Sequence, residues 1–228
     1  YQTLKAAYET YPHRYELDIA LTDCEKAYAD WVIAYAAEVF AAEQDYDAAI
    51  AELKYAQRDL PENEAIIREI ARYEAFRPVR LEKLVTFYKE HNWNVGADGF
   101  SKYHDNSITD NVGNRYNGYF YIKSHNYCQD GKYGRSIYRI NRAYEKMTGT
   151  IFVAQEDRSV SDFCEIRIYG DEKLLLGPVT VGKGMLPVEF EINVENVVEL
   201  KIEVVVINND SLATPGFANM LLYPKIEQ

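Results

Sequence analysis

The spacing of apolar residues changes once along the chain, close to Pro78. Before that point apolar residues recur every three or four positions, which is the period of one helix face. After it they alternate with polar residues, which is the period of a half-buried β-strand. The pattern therefore predicts an α+β protein of two domains, with helices in residues 1–77 and strands in residues 78–228.

Three helices are predicted in the first part, each from its own boundary signal. Thr22 with Glu25 matches a capping box, in which two side chains satisfy free amides at a helix start. Asp45 is the predicted N-cap of the next helix, and Pro78 ends the third. The predicted apolar faces are, in chain order, Tyr28, Trp31, Tyr35 and Val39; Tyr46, Ala49, Ile50, Leu53, Ala56 and Leu60; and Ile66, Ile67, Ile70 and Tyr73.

The second part contains short alternating stretches separated by clusters of Gly, Asn and Asp. "LPVEFEINV" places Val188, Phe190 and Ile192 on one face of a strand, and Glu189 and Glu191 on the other. Further strands are predicted in "VELKIEVVVI", "FCEIRIY", "TIFVA", "YFYI" and "LLYPKI". Many short strands with no helices between them predict an antiparallel sandwich or barrel.

Charge and composition narrow the choice of partners. The formal charge of -11 at pH 7 repels nucleic acid and anionic lipid, so neither is an expected partner. No apolar run approaches the roughly 20 residues of a membrane helix, and we expect no membrane contact. The three cysteines contain no CxxC pair, so we expect buried thiols. Because the chain begins at Tyr1, we interpret it as processed or trimmed, and any preceding signal or anchor lies outside this sequence.

Common catalytic motifs are absent from the sequence. The sequence lacks G-x-S-x-G, H-E-x-x-H, a phosphate-binding glycine loop and a dinucleotide fingerprint. Carboxylates come close together in "QEDRSVSD" and "DNSITDN", where a calcium site or a glycosidase pair is the alternative to a solvated loop. Their spacing fits neither an EF-hand nor two carboxylates across a cleft. We therefore expect no enzyme and no cofactor, and the metal question stays open.

The stretch "AYAAEVFAAEQDYDAAIAELKYAQRDLPEN" resembles a tetratricopeptide repeat, a helical hairpin with small residues at the crossing and proline at the exit. The positions that match the family are Phe40, Tyr46, Ala49, Leu53, Ala56 and Pro61. Ile33 stands where tryptophan is usual, and Gln44 stands where the turn glycine is common. The resemblance implies antiparallel helical hairpins that stack on their neighbours; a plain helical bundle is the alternative.

The order of elements after Pro78 resembles a second family. "VRLEKLVTFY", "NWNVG", "DNVGNRYNGYFYIKSHN", "SIYRINRAYEKMTGTIFVAQED", "CEIRIYGDEKLLLGP" and "VEFEINVENVVELKIEV" follow one another as in the NPCBM family of carbohydrate-binding modules, a relative of family 51 modules. The resemblance covers nearly all of residues 78–226. It implies a galactose-binding-like β-sandwich, or jelly roll, that holds a sugar.

Candidate sugar contacts follow from that resemblance and from the chemistry of sugar recognition. An aromatic ring stacks on the apolar face of a sugar, and planar amides bind its hydroxyls. The candidates are Trp93, His125, Asn126, Asn208, Asn209 and Asn219. Structural alternatives are Trp93 as a core residue, His125 as a satisfied histidine at a strand end in "KSHN", and Asn208 and Asn209 as an ordinary turn. "FANMLL" is expected to pack into the last strand, with Asn219 as its one ligand group.

Two functions from different classes remain open. The first is a noncatalytic glycan-binding module, for galactose-type sugars, joined to a helical-repeat spacer in a bacterial surface or multi-modular protein. The second is a protein-interaction adaptor whose helical part binds a peptide and whose sandwich has lost its sugar site. An extracellular or bacterial cell-surface location is favoured in either case.

Overall fold

The computed structural model describes residues 1–91, 104–121, 133–155, 163–182, 184–207 and 215–225. The chain divides into two compact units, Tyr1–Arg77 and Pro78–Gln228. The first unit is helical in its regular structure, and the described residues of the second form β-strands and include a short 3₁₀ turn at Leu81–Lys83.

The helical unit holds four α-helices within its described residues. They are α1 (Gln2–Thr10), α2 (Tyr15–Val39), α3 (Tyr46–Asp59) and α4 (Glu64–Phe76). A 3₁₀ turn, Ala41–Glu43, follows α2, and Gln44 then takes the left-handed conformation with φ 61°. None of the helices described is both long and apolar enough to cross a bilayer.

Helices α3 and α4 confirm their predicted boundaries and most of their predicted faces. The Asp45 side chain accepts a hydrogen bond from the Ala48 amide and so caps α3, while α4 ends at Phe76, two residues before Pro78. The buried residues of α3 are Ala49, Ile50, Leu53 and Ala56. In α4 the prediction was wrong at Ile67, which is exposed because Ile66, Ile70 and Tyr73 fill the face toward the core.

The start of α2 differs from the prediction. The helix begins at Tyr15, so Thr22 lies within it and caps nothing. The Thr22 hydroxyl donates instead to the carbonyl oxygen of Asp18, four residues earlier, at 2.9 Å. The capping-box prediction was therefore wrong, because a threonine inside a helix can bond backward to the preceding turn.

The buried face of α2 also differs from the prediction. Ala29, Val32 and Ala36 are buried, whereas Trp31 is 57% exposed. Of the predicted face, Tyr28 is half-buried and packs against the helical core, whereas Tyr35 and Val39 are exposed like Trp31. The rings of Tyr1, Tyr28, Trp31 and Tyr35 lie side by side from the edge of this core outward, with successive centroids 5.9, 6.3 and 5.4 Å apart. We call these four residues the aromatic row.

The second unit is a two-sheet sandwich of antiparallel strands, as predicted. Its described strands are β1 (Val79–Arg80), β2 (Thr86–His91), β3 (His104–Thr109), β4 (Arg115–Tyr121), β5 (Tyr133–Arg139), β6 (Tyr144–Val153), β7 (Phe163–Gly170), β8 (Lys173–Gly182), β9 (Val188–Asn193), β10 (Glu199–Val206) and β11 (Pro215–Pro224). One sheet has the order β3-β4-β11-β6-β9, with β1 also paired to β11; the other has the order β2-β5-β10-β7-β8.

Alternation along the strands builds the core between the sheets. In β9, Phe190 and Ile192 are buried while Glu189 and Glu191 face solvent, as the sequence predicts. The inward residues of both sheets join one apolar cluster that includes Met147, Ile151, Cys164, Ile166, Ile168, Leu200, Ile202 and Phe217. Cys164 is a buried thiol, as expected, and Cys24 is half-buried; neither forms a disulfide within the described residues, and Cys128 lies outside them.

A second, smaller apolar cluster lies on the outer face of the β6–β11 sheet. Ile151 and Val153 belong to the main core, so Phe152 between them points outward. The Phe152 ring lies over Gly216, where an added Cβ would overlap it, and Tyr116 stacks on Phe152 with centroids 4.6 Å apart. The β3–β4 hairpin therefore packs against this outer face, and Gly118, with φ 85°, supplies the bend in β4.

Candidate functional site

A β-bulge in β11 brings one predicted site residue to the surface. The pairing of β11 with β6 runs through Ala218–Thr150 and resumes at Leu221–Thr148, so two residues of β11 oppose Gly149 alone. Of these two, Met220 is buried and Asn219 is exposed, with φ 53°. Asparagine is one of the few residues that adopt this left-handed conformation readily, and bulges of this kind often re-aim a side chain at a functional site.

Gly149 makes the bulge possible. A Cβ at this position would lie 2.7 Å from the Phe190 ring and would overlap the Met220 sulfur. The missing side chain therefore leaves room for Met220 to enter the core from the bulge. Because Met220 takes the inward place, Asn219 must present its amide to solvent.

Polar side chains surround Asn219 on the outer face of the same sheet. Thr150 is paired with Glu189 and Thr148 with Glu191 across β6 and β9, so each hydroxyl lies beside a carboxylate. These four residues, with Asn219, Leu221 and the backbone between them, line a depression of about 480 Å³. We call it the Asn219 depression.

Charge in the Asn219 depression is mainly negative. Glu191 pairs with Lys146 at 3.1 Å, and the Lys146 ammonium lies 4.6 Å from the centroid of the Tyr223 ring. No ion pair involving Glu189 occurs among the residues that the structure describes. Thr150 is buried, at 4% exposed, whereas Thr148 is half-buried. The depression thus offers one amide, the Thr148 hydroxyl and two carboxylates, a set that can both donate to and accept from neutral hydroxyl groups.

A smaller depression of about 100 Å³ lies on the other side of Asn219. It exists because two strands share one edge of β11: β4 pairs with residues 216–218 and β1 with residues 221–222. The gap between β1 and β4 is flanked by Arg80 and Glu82, which lie 3.5 Å apart. Asn219 therefore stands between two concave surfaces.

The carboxylates of "DNSITDN" do not form the calcium site that the sequence left open. Asp110 is fully buried, and its oxygens accept hydrogen bonds from the amides of Val112 and Asn114, from the Asn114 side chain and from the Tyr116 hydroxyl. Burial acts to raise the pKa of Asp110, but these bonds outweigh it and lower the pKa. Asp110 is thus the acceptor that closes the β3–β4 turn.

The hydrogen bond to Asp110 also affects the ionisation of Tyr116. Burial, with the bond to Asp110, raises the pKa of Tyr116 to about 12. Among the described residues no group of three or more His, Cys, Asp and Glu side chains could hold a metal ion.

The carboxylates of β9 do not resemble a glycosidase pair either. Glu189 and Glu191 project from one face of a single strand, so they lie on the same side of the depression. Glycoside hydrolysis needs two carboxyl groups that flank the scissile bond.

Of the six predicted contacts, the structure describes Asn219. Trp93, His125, Asn126, Asn208 and Asn209 lie outside the described residues and stay predictions. Thr148 and Thr150 were not among the predicted contacts, and Glu189 and Glu191 were predicted only as the solvent face of a strand. Alternation placed those glutamates correctly, but the register that sets them beside Asn219 cannot be read from the sequence.

Comparison with known proteins relates the sandwich to carbohydrate-binding modules. The CBM51-2 and INT domains of Clostridium perfringens ZmpB, in complex with GlcNAc, match with a TM-score of 0.51 and 12% identity, over 65% of this chain and 32% of that chain. Tandem CBM51 modules of Sp3GH98 from Streptococcus pneumoniae match at 0.49 and 11%, over 65% and 47% of the two chains. The CBM51 of C. perfringens GH95 with methyl-galactose matches at 0.47 and 13%, over 64% and 99%.

These matches concern the fold. This chain spans 32% of the length of the ZmpB chain that it matches. No family model matches the sequence, and no curated protein does. The identities of 11–13% to these carbohydrate-binding modules relate this chain to them in fold alone.

Proposed function

We propose that the Pro78–Gln228 unit is a noncatalytic carbohydrate-binding module that holds a neutral sugar in the Asn219 depression. The observation that carries the proposal is the bulge in β11, which exposes the Asn219 amide in a left-handed conformation beside Thr148, Thr150 and two glutamates. Support comes from the fold, which is similar to that of the ZmpB module crystallised with GlcNAc.

The chemistry of the depression matches that of a pyranose ring. The planar Asn219 amide both donates and accepts, so it can bind two neighbouring hydroxyls at once. The carboxylates of Glu189 and Glu191 are strong acceptors for sugar hydroxyls, and the hydroxyl of the half-buried Thr148 can donate or accept. Leu221 supplies an apolar contact for the carbon face of the ring.

The proposal also assigns a family and a role to each of the two units. We place the sandwich with the NPCBM relatives of family 51, in the galactose-binding-like jelly-roll group, and we place Tyr1–Arg77 with tetratricopeptide-like spacers. The order of strand stretches after Pro78 and the Ala49 crossing in α3 support these assignments. We assign the two units separate roles, sugar binding and spacing, in a bacterial surface protein.

The test is calorimetric titration of the full chain with GlcNAc and with galactose. Asn219→Gly removes the amide but keeps a residue that accepts φ 53°, so the fold should be retained while affinity falls about tenfold or more, equivalent to about 1.4 kcal/mol. Asn141→Gly is the matched control, because Asn141 is an exposed asparagine with φ 52° in the β5–β6 turn. If neither sugar binds the unaltered protein at millimolar concentration, the proposal fails.

The aromatic row favours a second candidate, an adaptor that binds protein through its helical unit. Trp31 is 57% exposed, and exposed aromatic residues are enriched at protein interfaces. In this case Trp31→Ala would abolish the binding of a purified partner, whereas Asn219→Gly would leave that binding unchanged. Loss through Asn219→Gly alone would reject the adaptor.

A further inference from the structure

A larger depression, of about 870 Å³, lies at the open edge between β8 and β9. Two turns frame it: Asp171–Glu172 between β7 and β8, and Glu195–Asn196 between β9 and β10. Its lining combines polar groups with the apolar side chains of Leu174 and Leu175. We call it the edge depression.

The edge depression and the Asn219 depression share a wall. Glu191 lines both of them. Along β9 the outward residues Glu189, Glu191 and Asn193 follow one another at alternate positions, so each is roughly 6–7 Å from the next. A single row of polar groups, roughly 13 Å long, therefore runs from one depression into the other.

The frame of the edge depression is held by backbone contacts. Asp171 accepts hydrogen bonds from the Val198 amide at 3.0 Å and the Glu199 amide at 2.8 Å, which ties the two turns together. The Asn193 side chain accepts from the Glu195 amide at 2.7 Å. Asn196, exposed and with φ 66°, is thus presented from a fixed turn, which lowers the entropy lost when a ligand binds.

We infer that the two depressions form one groove for a linear, neutral oligosaccharide, with one sugar beside Asn219 and later sugars beside Asn193 and Asn196. The inference rests on the proposed function and extends it from a single sugar to a chain. A row of polar groups roughly 13 Å long exceeds one pyranose ring. Leu174, which is 44% exposed, offers an apolar surface to a ring in the edge depression.

The charges of the groove determine which glycans it accepts. Carboxylates line it from end to end, at Asp171, Glu189, Glu191 and Glu195. Lys146 pairs with Glu191 at 3.1 Å and Lys225 with Glu195 at 2.9 Å. Lys173 also lines the edge depression, so the carboxylates of the lining outnumber its ammonium groups. A sugar chain that carries uronic acids, sialic acids or sulfates would meet like charge along the groove, so a neutral chain is favoured.

The test compares chain lengths by calorimetry on the full protein, with GlcNAc and its linear dimer to hexamer as probes. The tetramer should bind about tenfold tighter than the monomer. Asn196→Gly, which keeps the left-handed turn, should remove that gain and leave monomer affinity unchanged. Asn141→Gly is again the control and should alter neither value.

The outcomes separate the two proposals. If the monomer binds and the tetramer binds no tighter, the groove is wrong and the sugar module stands. If Asn196→Gly weakens monomer and tetramer equally, the edge depression is not a separate subsite and the groove is wrong. If a tetramer of galacturonic acid binds as tightly as the neutral tetramer, the charge argument is wrong. If no sugar binds at all, the proposed function itself fails.

Discussion

The Tyr116 hydroxyl donates a hydrogen bond of 3.0 Å to the Oδ2 atom of Asp110, and this bond joins the β3–β4 turn to the stack of Tyr116 on Phe152. The turn and the outer-face cluster are thereby one structural element. The Asp110 carboxylate is buried and accepts four hydrogen bonds, so it should contribute measurably to stability.

Replacing Asp110 with asparagine should destabilise the protein by about 2 kcal/mol, because bonds to a buried charged acceptor are lost or weakened. Asp105→Asn is the matched control: it is an exposed aspartate on β3, in the same hairpin, and should change stability little. Urea unfolding of both variants measures the difference. Equal stabilities would mean that the Asp110 bonds contribute nothing net.

The hydrogen-bonded Asp110 carboxylate also predicts how the stability of the protein depends on pH. The pKa of Asp110 is lowered from its ordinary 3.8, so its stabilising contribution is present above that value and is lost as the pH falls through the lowered pKa. The difference in unfolding free energy between the unaltered protein and Asp110→Asn should therefore become smaller as the pH falls from 7 to about 3. A gap that stays constant over this range would contradict the lowered pKa.

The contact of Phe152 with Gly216 predicts that a substitution at Gly216 destabilises the protein less when the residue at 152 is also made smaller. Gly216→Ala should cost about 1–3 kcal/mol, because its methyl overlaps a ring held between β11 and Tyr116. Phe152→Leu should cost stability as well, but the double variant should be more stable than the sum of the two losses. A double-mutant cycle from thermal or urea unfolding gives the coupling, and strict additivity would show that the two residues do not interact.

In the helical unit, Ala49→Leu should overpack the crossing of α3 with its neighbours and cost about 1–3 kcal/mol, because Ala49 is fully buried. Ala51→Leu makes the same change two positions later, on the exposed side of α3, and should be nearly neutral. The comparison uses thermal melting. Identical melting temperatures would show that α3 does not pack closely at Ala49, and the tetratricopeptide-like arrangement would lose its main support.

Two adjacent residues of α2 test which face of that helix packs against the core. Val32 is 1% exposed and Trp31 is 57% exposed. Val32→Ala should therefore cost about 1–2 kcal/mol, while Trp31→Ala, although it removes far more atoms, should cost less. Urea unfolding followed by far-ultraviolet circular dichroism decides between them, and a larger loss from Trp31→Ala would restore the face predicted from the sequence.

The sequence predicted those features that depend on local periodicity. Asp45, Ala49 and the alternating residues of β9 were placed correctly, because capping and alternation act within a few residues. The face of α2 was misread because aromatic residues were assumed to turn inward, whereas Ala29 and Ala36 allow closer helix packing.

The candidate site depends on pairings between distant parts of the chain. Asn219 was chosen for its amide, but its neighbours Thr150 and Glu189 come from strands far away in sequence. Their meeting is set by the register of β6 with β9 and β11, and by the absence of a side chain at Gly149. Neither the register nor the bulge leaves a local signal in the sequence.

The aromatic row also gives the helical unit an optical signature. Excitation absorbed by Tyr28 or Tyr35 will pass to Trp31, whose ring centroid lies 6.3 and 5.4 Å from theirs. The chain has two tryptophans, so Trp93→Phe leaves Trp31 as the sole acceptor. The fall in its emission under excitation in the tyrosine absorption band when Tyr28 and Tyr35 are also replaced by phenylalanine then measures the transfer from these two rings, without any added label.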